Sequence, residues 1–196
     1  MRMSSTRNYA LLTIRFLISY CCTIISLIFP EWIVAYNKLP FIIETHYGIF
    51  RKCGYFLGRC KDFPSQIDWD CSHDKFCQNW SLLKNSILFN IVFGAVLLVV
   101  IIYLTFRSLI KQKKYLPVIC LSILVQSVFQ SIATWIVLFY YLKSPEPFMS
   151  GHTNEEVSLE LGFCFFMNLF SLILNVINFF MLGVDYLTTP DYIPIN

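Results

Sequence analysis

The chain has 196 residues, of which 57% are hydrophobic and 14% charged, with a formal net charge of +3. A soluble domain carries about a quarter charged residues, and here the apolar residues gather into long runs that fill almost half the chain, leaving no room for a separate soluble domain of usual size. The basic surplus sits at the ends of those runs instead of on a soluble face, which excludes a nucleic-acid footprint.

A bilayer span needs about 20 mostly apolar residues, and the runs at about 10–29, 84–106, 116–141 and 161–184 meet that length. The first follows the basic stretch Met1–Arg7 and has a core, Phe16–Phe29, of signal-peptide length. No small-x-small cleavage site follows, because the chain continues Pro30-Glu31-Trp32, so the run reads as a retained span. Arg15, inside it, is expected to snorkel to the headgroups.

The connection 30–83 is long enough to fold. Trp32–Tyr36 and Phe41–Tyr47 are rich in β-branched and aromatic residues and flank the turn-like Asn37-Lys38-Leu39-Pro40, which predicts a hairpin. Cys53 to Cys60, with Gly54 and Gly58 between them, predicts a second, tighter one. Lys61–Asn79, with Asp68, Asp70 and Asp74, reads as a solvated excursion. The sequon Asn79-Trp80-Ser81 marks Asn79 as a glycosylation candidate close to the second span. The connection at 107–115 carries Arg107, Lys111, Lys113 and Lys114 and no acid, whereas the 142–160 connection carries Lys143 against Glu146, Glu155, Glu156 and Glu160. By the positive-inside rule, both termini, the tail 185–196 and the 107–115 loop are cytoplasmic, and 30–83 and 142–160 are extracellular. The second outer loop, with Pro145, Pro147 and Gly151, reads as irregular.

The cysteines fit this orientation. Cys53, Cys60, Cys71 and Cys77 fall in the first outer loop, an oxidising compartment. Four cysteines allow three pairings; short loop closure favours Cys53–Cys60 and Cys71–Cys77 without deciding between the possibilities. Cys21, Cys22, Cys120 and Cys164 lie in spans and read as packed thiols. Zinc at Cys71-Ser-His73 is disfavoured, since exported thiols oxidise and no fourth ligand is apparent. His46 and His152 have no nucleophile beside them, and no phosphate-binding, nucleophile-elbow, metalloprotease or kinase motif occurs. The expectation is therefore a non-enzymatic protein without cofactor or metal.

Polar residues recur at helical spacing within the spans: Ser19, Thr23 and Ser26; Asn90 and Gly94; Ser122, Gln126 and Gln130; Asn168, Ser171, Asn175 and Asn178. Each set shares one helix face. In lipid such faces turn inward and hydrogen-bond across the bundle, each bond contributing about 0.6–2 kcal/mol. Structural glue is the favoured reading, because no Asp, Glu or His lies mid-span to serve a proton relay or an ion-coupled carrier.

Pro30-Glu31-Trp32 at the exit of the first span, then Gly48-Ile49-Phe50, then Cys53 and Cys60, resembles the first extracellular loop of the claudin/PMP22/EMP superfamily, whose pattern is Trp…Gly-Leu-Trp…Cys…Cys. Lys84 stands where many claudins carry Arg. Departures are Phe50 for the second Trp, the short Cys53–Cys60 gap, the extra Cys71 and Cys77, and a tail ending Ile-Pro-Ile-Asn196 that is unlike a PDZ-binding end. The motif matches are confined to about residues 30–60, while the four-span layout matches over the whole chain. Trp32 and Phe50 are expected at the bilayer interface, where aromatic rings are favoured. The expected fold is an all-α transmembrane, left-handed four-helix bundle with a small disulfide-pinned extracellular β-sheet from the first outer loop. The resemblance implies a plasma-membrane protein of cell–cell contact or a paracellular barrier, with like molecules as partners. The related calcium-channel gamma and stargazin branch implies instead an auxiliary subunit of a channel or receptor.

Overall fold

The computed structural model describes residues 2–37, 43–54, 59–65, 71, 75–106, 109–143, 148 and 157–188. Four long helices, α1 (Arg2–Ile28), α2 (Phe76–Thr105), α3 (Leu109–Lys143) and α4 (Phe163–Thr188), each contain a stretch long and apolar enough to cross a membrane. α1 packs on α2 and α4, and α3 packs on the same two, so the helices close a ring. Three helices begin before the apolar runs read from the sequence, α1 at Arg2, α2 at Phe76 and α3 at Leu109. α2 starts at Phe76, two turns before residue 84, because Phe76, Trp80 and Leu83 bury completely and extend the apolar face outward. α3 starts at Leu109, so most of the polar 107–115 connection is helical; Lys and Gln are good helix formers.

A small antiparallel sheet caps one end of the ring. Its strands are β1 (Ile33–Asn37), β2 (Ile43–Tyr47), β3 (Arg51–Gly54), β4 (Cys60–Asp62) and β5 (Val157–Leu161), in the order β4-β3-β2-β1-β5. The expected hairpins appear as β1–β2, with Ile33 opposite Tyr47, and β3–β4, with Cys53 opposite Cys60; the turn residues 38–42 lie outside the described residues. β5 corrects the expectation that the first outer loop alone builds the sheet and that the second is irregular. Val157-Ser-Leu-Glu-Leu161 alternates apolar and polar, and its apolar residues share the inward face with Ile33 and Ala35.

The interior has three layers. Under the sheet, Trp32, Ile33, Tyr47, Ile49, Phe63, Phe76, Trp80, Tyr140 and Phe148 belong to one apolar cluster. At the opposite end Leu12, Phe16, Leu97, Ile101, Ile119 and Leu182 belong to a second. Between them lie the buried polar side chains of all four helices.

Candidate functional site

The sheet stands on a close backbone junction. Trp32 N–H donates to the Tyr47 carbonyl, Gly162 N–H to the Trp32 carbonyl, and Cys164 N–H to the Glu31 carbonyl. The exit of α1 and the start of α4 are thereby stitched together. A Cβ at Gly162 would lie 2.1 Å from the Glu31 carbonyl oxygen, and one at Gly48 would lie 2.5 Å from the Pro30 Cα. Both positions need glycine for want of space, which gives the Gly48 of the sequence motif a local physical reason.

Trp32 is fully buried, and its indole N–H donates to the Ser26 carbonyl. With its backbone N–H bonded to the Tyr47 carbonyl, the indole is carried under the sheet and packs inside the protein. Phe50 is 38% exposed, with the Lys84 ammonium 5.4 Å from its ring centroid. That ammonium also donates to the Phe63 carbonyl at 2.9 Å. Ile49 is buried, and its carbonyl accepts from the Trp80 indole at 3.1 Å.

The aromatic cluster beneath the sheet was not legible as such. Phe63 and Phe76, in the stretch expected to be a solvated excursion, are both fully buried. Phe63 meets Trp80 edge-on at 5.3 Å and Tyr47 at 5.0 Å, and Tyr47 hydroxyl donates to the Phe148 carbonyl. The available signal was the set of large rings at Phe63, Phe76 and Trp80 within polar sequence. Asn79 lies in the first turn of α2, where its amide donates to the Tyr140 hydroxyl at 2.8 Å.

Both disulfides join the cysteines that short loop closure favoured. Cys53–Cys60 bridges β3 and β4 directly across the ladder, and Cys71–Cys77 ties the segment before α2 to its first turn. His73 lies outside the described residues. On the sheet's outer face, Glu160, Val34, His46, Cys53 and Cys60 form one cross-strand row, with Ser158, Tyr36 and Glu44 in the next. His46 is not an ordinary surface residue: its imidazole lies 3.3 Å from the Glu44 carboxylate and 3.9 Å from that of Glu31. Burial, followed by the charges of Glu44, Glu160 and Glu31, pushes the Tyr36 phenol above its ordinary value. The outer face near β1 is thus acidic, while Arg51 and the exposed β4 strand occupy the other flank.

The polar layer divides into a satisfied half and an unsatisfied half. Gln130 amide donates to the Thr23 and Ser171 hydroxyls at 3.0 and 2.7 Å and accepts from Asn175 at 2.8 Å. Ser19 hydroxyl donates to Asn175, and Asn168 amide donates to Thr134. Gln126, Asn178 and Asn90 are buried with neither amide atom hydrogen-bonded among the described residues. Ser122, expected inward, instead donates back to the Val118 carbonyl on its own helix.

Comparison of the sequence with protein-family models and with curated proteins returns no match.

Proposed function

We propose that this chain is a non-enzymatic plasma-membrane protein of claudin-like character, acting in cell–cell contact or a paracellular barrier through its outward-facing sheet. The carrying observation is the cap itself. Five strands drawn from both connections at one end of the bundle present a charged face bounded by two edge strands. The resemblance at Trp32, Gly48 and Cys53–Cys60 supports this reading, and those residues all serve the cap. In it the sheet is extracellular, both termini are cytoplasmic, the bundle has the left-handed sense common in membranes, and the partners are like molecules in cis or trans.

Expression in non-adherent cells tests it. Accumulation is expected at contacts only where both neighbouring cells carry the protein; uniform surface staining at such contacts would reject the adhesive role.

A second reading, an auxiliary subunit docked laterally on a channel or receptor, is favoured by one feature. An apolar groove of about 700 Å³ on the outside of the bundle is lined by Leu82, Leu124, Val128, Ile132, Trp135 and Val176, and Trp135 is 69% exposed. Co-purification of a pore-forming protein with the wild type but not with Trp135→Ala is its expected signature.

A further inference from the structure

In sequence, Asn79-Trp80-Ser81 marks a surface-loop acceptor for an N-glycan, yet all three residues lie in α2, which starts at Phe76. The enzyme that attaches the glycan must engage the Asn carboxamide together with the hydroxyl two residues on. In an extended chain, residues i and i+2 share one face. On a helix they stand about 200° apart and do not face each other. Asn79 is half-buried against α3 and Ser81 is exposed, so no single surface of the folded chain presents both.

The acceptor nitrogen is also engaged. Asn79 Nδ2 donates to the Tyr140 hydroxyl at 2.8 Å, and the Asn79 backbone N–H donates to the Lys75 carbonyl at 2.9 Å. The turn itself is pinned from several sides. Phe76 meets the Tyr140 ring edge-on at 4.9 Å, the Trp80 indole donates to the Ile49 carbonyl at 3.1 Å, and Cys71–Cys77 ties the preceding segment to the turn. Lipid is not what hides the site. The apolar stretch Phe76–Thr105 has 30 residues, about 45 Å of helix against a hydrocarbon core of about 30 Å. The rings at its start pack under the sheet with Trp32 and Ile49.

We propose that Asn79 is a conditional modification site, closed in the folded protein and open to an N-glycan only while the start of α2 is neither helical nor docked on α3. In the transfer, Asn79 Nδ2 bonds to the anomeric carbon of a lipid-pyrophosphate-linked oligosaccharide. The anomeric C–O bond breaks, the lipid pyrophosphate leaves, and the amide gives up one proton to it. Glycan on Asn79 therefore marks chains in which α2 and α3 have not come together. The proposal rests on the reading that places the 30–83 connection outside the cytoplasm.

The full-length wild type, made in cells with a secretory pathway, is expected to keep its gel mobility on treatment with a peptide N-glycosidase. Tyr140→Ala and Cys77→Ala, combined in one chain, remove the hydroxyl, the ring against Phe76 and the disulfide together. That chain is expected to run slower by one glycan, and the shift is expected to vanish on glycosidase treatment or when Asn79→Gln is added. As a control, Gln66→Asn with Asp68→Ser sets a sequon earlier in the same connection, which is expected to be modified in the otherwise wild-type chain. Glycan on Asn79 of the wild type overturns the proposal. So does a Tyr140→Ala/Cys77→Ala chain that stays bare at Asn79 while the control sequon is modified. A bare control sequon overturns instead the outward placement of the loop, and the proposal with it.

Discussion

Gly48 and Gly162 are fixed by space. A side chain at Gly162 meets the Glu31 backbone, which cannot rotate away as a flexible side chain can. Gly162→Ala is therefore expected to destabilise by about 1–3 kcal/mol or more, read as a lowered unfolding temperature in detergent, whereas an added Cβ at Gly54 meets nothing within 4 Å and Gly54→Ala should be far milder. Tyr36 offers a second test. Its phenol is raised, so the native state keeps a proton that the unfolded chain releases. The stability linked to this group is whole below the ordinary value of 10.0 and falls as pH rises above it. Absorbance titration, as the difference between wild type and Tyr36→Phe, should place this phenol above that value, and Glu44→Gln should move it back toward it. In the sequence, Gly48 was legible only as part of a motif and Gly162 not at all, because a missing Cβ leaves no trace of what would have struck it.

The helices make a sharper contrast. Gln126 and Gln130 lie one turn apart on α3 and look alike in sequence, yet among the described residues only Gln130 has hydrogen-bond partners for its amide. Gln130→Leu leaves Thr23, Ser171 and Asn175 short of bonds and is expected to destabilise by about 1–3 kcal/mol. Gln126→Met removes an amide without buried partners and is expected to be neutral or stabilising. Chemical unfolding of the two variants side by side in one detergent checks the difference in sign. The periodicity placed both residues on an inward face, as it did Asn168, Asn175 and Asn178, because face follows from spacing alone. Which of them find partners depends on the rotation of neighbouring helices, which spacing does not encode. The start of α2 was hidden for a related reason: between Phe76 and Trp80 stand a disulfide cysteine, the exposed Gln78 and Asn79, whose amide is bonded to Tyr140, so the run looked broken where the helix continues.

For the whole molecule, four apolar spans were readable from length and composition, and both strand pairs of the first loop from residue type. The fifth strand was missed despite its alternation, because its partner β1 lies more than a hundred residues earlier and nothing local points there. The cap should fail as a unit. On the proposed plasma-membrane reading, Cys53→Ala or Cys60→Ala removes the covalent tie between β3 and β4, and both variants are expected to be held inside the cell, seen as loss of surface label with total protein unchanged. Lysine at Leu159 places a charge on the inward face of β5 beside Ala35, and the same retention is expected.

The pairing of β1 with β5 also sets a schedule for biogenesis. During synthesis the ribosome delivers β1 and β2 early, yet one flank of β1 stays open until Val157–Leu161 has emerged. Ser19 likewise waits for Ser171 and Asn175. A chain halted after its third helix therefore leaves one edge of β1 unpaired and Ser19 without its α4 partners at the same time, so the end of the bundle under the cap and its polar middle are completed by one and the same segment.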